Sequence, residues 1–376
     1  MNLLINCTNL SGGGGIQVAN SILRLLHLFP EHRFIAVGSK AMAPTLEAIK
    51  NYENVETIEY SYPSSNWKSL ITGRNIYLDS LVENNAIDCV LTVFGPMKWR
   101  PRCQHLCGFA LAHVILNDSP FWKKLKLTDR VKWKIRAYLW RIIFRRSSHN
   151  FYTENEYIST KLQSLMRNSQ VYTVTNYYNQ VFDNPEEQKI FQLPPCQDGC
   201  FRLLDIASSG LHKNQELSLE ICKILRNDHP DFKFQFVFTL TPSQFPEVPD
   251  EFKENFVFIG AVPNEVCPSL YEQTDASFQP TLLECFTATY VEAMRMKKPI
   301  ITTDLEFAKG ICKDAAAYYS ATSAQSAADV IYQVASNPSL QSKLIDNGVR
   351  RLSAFDNQTV RAEKLIKICE KITSKQ

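Results

Sequence analysis

The sequence lacks any long apolar run: nowhere in its 376 residues is there a stretch approaching the ~20 apolar residues needed to cross a bilayer, which excludes an integral helical membrane protein. It lacks an excess of either charge. Lys and Arg total 41 against 38 Asp and Glu, a net charge of +3 and the even mixture of a soluble globular protein. Internal repeats and low-complexity tracts are missing. No basic segment precedes the short apolar run of MNLLINCTNLSGGGG, so that run reads as a first buried strand rather than a signal peptide, and the chain is expected to stay in the cytoplasm. The two CxxxC pairs, Cys103/Cys107 and Cys196/Cys200, lack companion histidines at zinc-finger spacing, and no DxD-like motif stands at a strand end. Neither a metal nor a cofactor is therefore expected. The 11 cysteines scatter from Cys7 to Cys369, mostly within apolar segments, which excludes a disulfide scaffold and predicts reduced thiols.

What is present is alternation. Short β-rich runs separated by helical patterns recur as LLINCT, RFIAVG, VETIEY, DCVLTV, HLCGFAL, NFYT and VYTV, and again after Cys200 as FRLLDIA, FKFQFVFTL, FVFIGAV, ASFQP, PIITT and AAYYS. Strands separated by helices predict parallel sheets covered on both faces, and the length predicts two such domains. Between them DNPEEQKIFQLPPCQDG, residues 183–199, loses periodicity and gathers proline and charge; it reads as a linker, with the boundary near residue 190. A helix over Ala324–Ala335 is expected to stop at Asn337-Pro338, and helical patterns close the chain through Val360–Ile372.

The first strand runs into Ser11-Gly12-Gly13-Gly14-Gly15, after which Ile16, Ala19, Leu23 and Leu26 share one helical face. Gly13, Gly14 and Gly15 would let the backbone approach a ligand, and the helix start would offer unpaired amides to an anion. Phosphate or acceptor binding is one reading; a merely tight turn is the other. A dinucleotide fingerprint fits worse, because Val18 stands where a third small residue belongs and RFIAVGS ends without an acidic residue for a ribose.

The segment after ASFQP reads Thr281-Leu282-Leu283-Glu284-Cys285-Phe286-Thr287-Ala288-Thr289-Tyr290-Val291-Glu292. On one continuous helix the two glutamates would diverge by roughly 80°. A shared site is easier with Glu284 on a strand-to-helix loop, Glu292 inside the helix, and Thr287 or Thr289 as its cap. The loop would then lie at the carboxyl end of a strand, where open α/β sheets bind ligands.

Together with ASFQP before it and EAMRMKKPIITTD after it, this stretch resembles the Glu-x7-Glu signature of the retaining glycosyltransferases of family 4, the glycosyl transferases group 1. FYTENEYIST and VYTVTNYYNQVF resemble family segments of the first domain. The resemblance implies an α/β fold of the GT-B kind, two Rossmann-like, doubly wound parallel-sheet domains facing across a cleft. Residues 1–190 would bind the acceptor, 191–355 the donor, and a C-terminal helix over 356–376 would pack back towards the first domain. It implies a retaining, metal-independent transfer of a sugar from a nucleotide-sugar, UDP- or GDP-linked, to a saccharide acceptor. By position, Glu284 falls beside the donor sugar, Phe286, Thr287 and Ala288 on sugar and phosphate, Glu292 on the ribose, and the glycine turn on the phosphate or acceptor side. His113, in HLCGFALAHVILNDSP, falls where the family often has a histidine that bonds donor sugar and acceptor. Two departures stand out. Cys285-Phe286-Thr287 replaces the usual Gly-Phe-Gly, and of the paired Arg and Lys on the donor pyrophosphate only Lys213 is present, with Ser208 at the arginine position. His212 is a candidate for part of the lost charge.

Residues 121–146, FWKKLKLTDRVKWKIRAYLWRIIFRR, hold ten basic residues against one acidic. Thr128 is placed to cap a helix with Val131, Ile135, Leu139 and Ile142 on an apolar face. The stretch reads either as a peripheral contact with an anionic membrane on the inner face of the cell membrane, which suits a lipid-linked acceptor of polysaccharide or lipopolysaccharide synthesis, or as an ordinary domain helix with a solvated charged face. No recognised nucleic-acid module accompanies it, so nucleic acid is not an expected partner. Rival readings of the whole are a nucleotide-sugar epimerase of the same architecture and a nucleotide-sugar-binding subunit without catalysis.

Overall fold

The computed structural model describes residues 1–61 and 72–374. Every β-rich run named above forms a strand; the central ones are buried on both faces and need no alternating polar residue, while the edge strands over Val55–Glu59 and Gln170–Thr173 are only partly covered. The first sheet holds β1 (Asn2–Cys7), β2 (Arg33–Gly38), β3 (Val55–Glu59), β4 (Cys89–Thr92), β5 (Gln104–Gly108), β6 (Asn150–Thr153) and β7 (Gln170–Thr173) in the order β3-β2-β1-β4-β5-β6-β7, all parallel. The second holds β8 (Phe201–Asp205), β9 (Phe234–Phe238), β10 (Phe256–Phe258), β11 (Ala276–Gln279), β12 (Ile300–Thr303) and β13 (Ala316–Tyr319) in the order β10-β9-β8-β11-β12-β13, again all parallel. In each sheet the strand order reverses once, between β1 and β4 and between β8 and β11. Such a switch point leaves a crevice outside the carboxyl ends of the two strands.

The chain divides into two compact units, Met1–Leu116 with Leu127–Asn176 and Asp356–Gln376, and Asn117–Lys126 with Tyr177–Phe355. In the first unit the helix Gln358–Thr373 inserts Leu365, Ile366, Cys369 and Ile372 into the same apolar core as Leu3, Ile5 and Leu91. Arg361 on this helix is fully buried, 3.2 Å from Glu154 and hydrogen-bonded to Asn176. Burial pushes the Glu154 carboxyl up to about 7, and the Arg361 charge works against that rise. The second unit has its own core, built on Phe234, Phe236, Phe238 and Phe278 against Ile221, Leu225 and Ile331.

The division falls at Asn176/Tyr177 instead of near residue 190. Most of the expected linker is tied to the second unit by its own backbone: the amides of Lys189, Phe191 and Leu193 donate to Glu265 O, Ser269 Oγ and Gln273 Oε1 at 2.8–3.0 Å. Proline and charge there mark a strapped segment, not a free joint. Asn337-Pro338 does end the helix Ala324–Ala335, but it also starts the next, Pro338–Leu352, whose Leu340 amide the Asn337 side chain caps.

The basic stretch also departs from expectation. Its helix runs over Leu127–Ser147, so Thr128 lies inside the first turn and not at the cap position. Leu127, Val131, Ile135, Tyr138 and Leu139 are 49–73% exposed, whereas the buried residues are Ala137, Phe144 and Ser147. Val131, Ile135 and Leu139 of the apolar stripe face solvent, while Phe144 anchors the helix against Phe109 and Phe151. Among the described residues no helix is long and apolar enough to cross a membrane.

Candidate active site

At the switch point of the second sheet, β8 and β11 lie side by side with Ala276 opposite Leu203 and Ser277 opposite Leu204. The loops leaving their carboxyl ends are joined through backbone: the Leu282 amide donates to His212 O at 2.7 Å, and Thr281 Oγ1 donates to the same oxygen at 3.2 Å. This brings Lys213 Nζ to 2.5 Å from Glu284 Oε1, with both side chains 17% exposed. Burial works against the lysine charge, but Glu284 and Asp205 outweigh it and hold its pKa above the ordinary value. His212 Nε2 stands 3.9 Å from the same Glu284 oxygen. Burial pushes this imidazole below its ordinary pKa against the pull of Glu284, and Lys213 adds to the fall.

Asp205, the last residue of β8, is a member of this cluster that sequence reasoning missed. It is 1% exposed; Gln215 Nε2 donates to Oδ2 at 3.0 Å, and Oδ1 has no partner. Burial and Glu284 push its carboxyl up to about 7 against the opposing pull of Gln215 and Lys213. The available signal was an acidic residue closing the buried strand run FRLLD. Ser119 was also missed. Its hydroxyl donates to Leu282 O at 2.6 Å, and Lys124 bonds Asn214 and Glu216, so Asn117–Lys126 braces both loops from a distant place in the sequence.

Glu284 lies on the loop and Glu292 on the helix Ala288–Arg295 that follows. Tyr271 connects the two turns of that helix, its hydroxyl lying 3.2 Å from Thr289 O and 3.4 Å from Glu292 Oε2. Part of Glu292 meets solvent, yet crowding around its carboxyl pushes the pKa up to about 7, moderated by the Tyr271 bond. Thr287 occupies the cap position without a side-chain cap bond. Thr287 Oγ1 and Thr289 Oγ1 are both buried and have no partner among the described residues. Phe286 packs edge-on against Phe355, with centroids 6.2 Å apart, and Cys285 is 5% exposed. Lys213, Glu284, Phe286, Thr287, Ala288 and Glu292 therefore share one region of the second unit.

The glycine turn and His113 belong to the first unit. Gly13, at φ +64°, precedes the helix Gly14–Leu23, whose first two residues are Gly14 and Gly15. Among the described residues a Cβ placed on Gly12, Gly13 or Gly14 would meet nothing within 4 Å, so their packing does not require glycine at 12 or 14. Open space beside helix-start amides suits a ligand. His113 lies in the short helix Ala112–Ile115, half-buried, its ring edge-on to Trp133 at 5.0 Å. A cavity of about 630 Å³ lined by Cys200, Asp228, His229, Phe232 and Asp275 opens at the opposite edge of the second sheet, by the amino ends of β8 and β11. It is remote from these carboxyl-end loops.

Residues 197–351 match the family model described as Glycosyl transferases group 1. No curated protein matches the chain in sequence. Among solved structures, a glycosyltransferase from Rickettsia africae aligns over 100% of this chain and 99% of its own at 13% identity and a TM-score of 0.68. Anabaena HepE in complex with UDP aligns over 99% and 100% at 12% identity and 0.65, and WaaG, a glycosyltransferase involved in lipopolysaccharide biosynthesis, over 98% and 99% at 12% and 0.65. The chain shares their GT-B architecture from end to end.

Replacing Lys213 with methionine should cost about 1–3 kcal/mol at neutral pH, because it strips Glu284 of its partner and Asp205 of a nearby cation. Asp205 is an acid whose folded pKa, about 7, already exceeds its ordinary value of 3.8, and losing Lys213 raises it further. Such a group binds more protons folded than unfolded, so its penalty grows as pH rises. Urea unfolding of Lys213→Met against wild type should show a deficit at pH 8 that shrinks towards pH 5; a deficit independent of pH would contradict the coupling.

Proposed function

We propose that this chain, whose second unit carries a glycosyl transferases group 1 domain, is a retaining, metal-independent glycosyltransferase that moves a sugar from a UDP- or GDP-sugar to a saccharide acceptor in cell-surface polysaccharide or lipopolysaccharide synthesis. The observation that carries this reading is the cluster at the carboxyl ends of β8 and β11, where a buried lysine, two glutamates and a helix start stand beside buried hydroxyls without partners. Buried polar groups are nearly always paired, so unpartnered ones at a switch point favour a polar ligand.

In this reading Lys213 and the first amides of the helix Ala288–Arg295 stabilise the charge that develops on the departing diphosphate. Glu292 accepts hydrogen bonds from the ribose and Glu284 orients the donor sugar. The acceptor hydroxyl attacks the anomeric carbon on the face from which the phosphate leaves; the carbon–oxygen bond to phosphate breaks, and the acceptor proton passes to the leaving phosphate oxygen. Retention then needs no second carboxylate as covalent nucleophile. His113 and the glycine turn serve the acceptor and sugar side. Anabaena HepE was solved with UDP, which supports a uridine nucleotide as the first donor to try.

The exposed stripe of the helix Leu127–Ser147 favours a peripheral membrane contact and hence a lipid-linked acceptor. Lys132, Lys134, Arg136, Arg145 and Arg146 are exposed on the same helix. A cationic surface of this kind repels a second copy of itself, while each basic residue near an anionic leaflet contributes about 1 kcal/mol.

Incubated with EDTA and a panel of UDP-, GDP- and ADP-sugars, the protein should release nucleoside diphosphate from one donor, and Glu292→Ala or Lys213→Ala should reduce that release at least tenfold. Interconversion of donor sugars without release would identify an epimerase, and no release together with no donor binding would end the nucleotide-sugar reading. The protein should also sediment with vesicles rich in anionic phospholipid at low salt, and Ile135→Asp with Leu139→Asp should abolish this; a wild-type protein that stays in the supernatant refutes the membrane contact.

A further inference from the structure

A chain of hydrogen bonds crosses the centre of the first sheet. Asn6 and Thr92 stand opposite each other on β1 and β4, the two strands of that sheet's switch point, and His105 lies on the neighbouring β5. His105 Nδ1 is 2.7 Å from Ser147 O, the carbonyl of the residue that ends the helix Leu127–Ser147, and Nε2 is 2.9 Å from Thr92 Oγ1. Asn6 Nδ2 is 3.2 Å from the same hydroxyl, and the amide and hydroxyl of Thr8 approach Asn6 Oδ1 at 3.2 and 2.8 Å. All five residues are at most 5% exposed. Apolar side chains of the same shape would fill this space at little or no loss of stability, so packing alone does not ask for polar ones.

Both ends of the chain dictate the direction of its protons. A carbonyl only accepts, so His105 carries its proton on Nδ1. Burial pushes the ring's pKa down to about 4 against the pull of the Ser147 carbonyl; the ring is neutral, and Nε2 accepts from Thr92. At the other end a backbone amide only donates, so the Asn6 atom facing Thr8 is the oxygen and the nitrogen faces Thr92. The two deductions meet at Thr92, whose hydroxyl accepts from Asn6 and donates to His105. One arrangement satisfies every member, and it gives the Asn6 carboxamide a single orientation. Thr8 is where the chain leaves β1 for the glycine turn. The described residues leave open space around Gly12, Gly13 and Gly14, so packing does not brace the turn there; bonds at its foot do, from Thr8 to Asn6 and from Asn9 Nδ2 to Phe94 O at 2.6 Å.

We propose that Asn6 is a positioning residue for the sugar transfer: held in one orientation by Thr92 and His105, its carboxamide fixes the course on which the glycine turn leaves the sheet. This rests on the reading that gives the turn to the acceptor and sugar side, and deepens it by naming what aims the turn. A buried polar network with every member satisfied rigidifies its surroundings, and misplacement of a binding loop slows turnover without touching donor affinity. Asn6, Thr92 and His105 touch no substrate in this account; they act through Thr8.

Nitrogen-15 NMR of the full chain labelled at histidine reads the protons directly. At neutral pH His105 should show a protonated Nδ1 and an accepting Nε2; the other tautomer overturns the inference. Thr92→Val keeps the shape and breaks the chain at its middle, whereas Thr92→Ser keeps the hydroxyl. With the UDP-, GDP- or ADP-sugar that the wild type turns over, Thr92→Val should lower kcat for nucleoside diphosphate release about 10–100-fold and leave the donor KM unchanged. Amide-resolved hydrogen exchange should speed up over residues 8–15 and stay as in wild type over 201–213, and Thr92→Ser should match wild type in both measurements. A Thr92→Val protein with wild-type turnover and wild-type exchange in the turn, or one changed only in melting temperature, has lost a network that serves stability alone, which overturns the inference. Should Thr92→Val not fold, the wild-type Thr8 amide decides: exchange as fast as that of the glycine amides after it means that Asn6 does not hold the turn. A wild-type chain that releases no nucleoside diphosphate and binds no donor ends the donor reading, while the His105 tautomer and the exchange of the turn still decide for or against Asn6.

Discussion

The parallel pairing of β8 with β11 is the constraint on which the candidate site depends. It places two loops from residues about seventy positions apart at one edge of one sheet, and the hydrogen bonds from Leu282 and Thr281 to His212 O then fix their height relative to each other. One backbone bond, from the Leu282 amide, and one side-chain bond, from the Thr281 hydroxyl, thus share a single carbonyl oxygen. That register lets Lys213 reach Glu284, and Ser119 adds a further hydrogen bond to Leu282 O. A switch point supplies the crevice; the bonded loops supply its walls.

The polar groups of this region are poorly satisfied compared with those elsewhere in the same unit. Asp205 leaves one oxygen unpaired and sits near neutrality in its protonation, and two threonine hydroxyls make no bond. The core behind them is mainly aromatic, with Phe236 stacked on Phe238 and tilted against Phe278. Natural sites commonly trade stability for readiness to bind.

Much of this was legible in the sequence because the sheets are parallel and covered on both sides. Runs such as RFIAVG and NFYT, lacking alternation, mark strands buried on two faces, and each forms a strand where it was read. The two-sheet GT-B architecture followed from that alternation together with the Glu284…Glu292 resemblance. Other features were hidden because they depend on distant partners. Residues 183–199 read as a linker since nothing local reveals that Ser269 and Gln273 bind their backbone. Asn117–Lys126 joins the second unit through Leu282, Asn214 and Glu216, which periodicity cannot register. The apolar stripe of Leu127–Ser147 was visible as a period, but a period does not say whether the stripe meets a core or solvent. Asp205 was read only as part of a strand; its role emerges from the burial of its carboxyl beside Lys213.

The claim that the carboxyl edge of the second sheet is where a nucleotide binds is tested most directly by hydrogen exchange on the intact chain with and without a saturating nucleoside diphosphate. The account predicts slowed exchange concentrated in the loop from Ala207 to Lys213 and in the segment from Leu282 to Glu292, with the strands around the cavity at the opposite edge unaffected. Protection centred instead on residues 199–201 and 228–232, or none at saturating ligand, would contradict it.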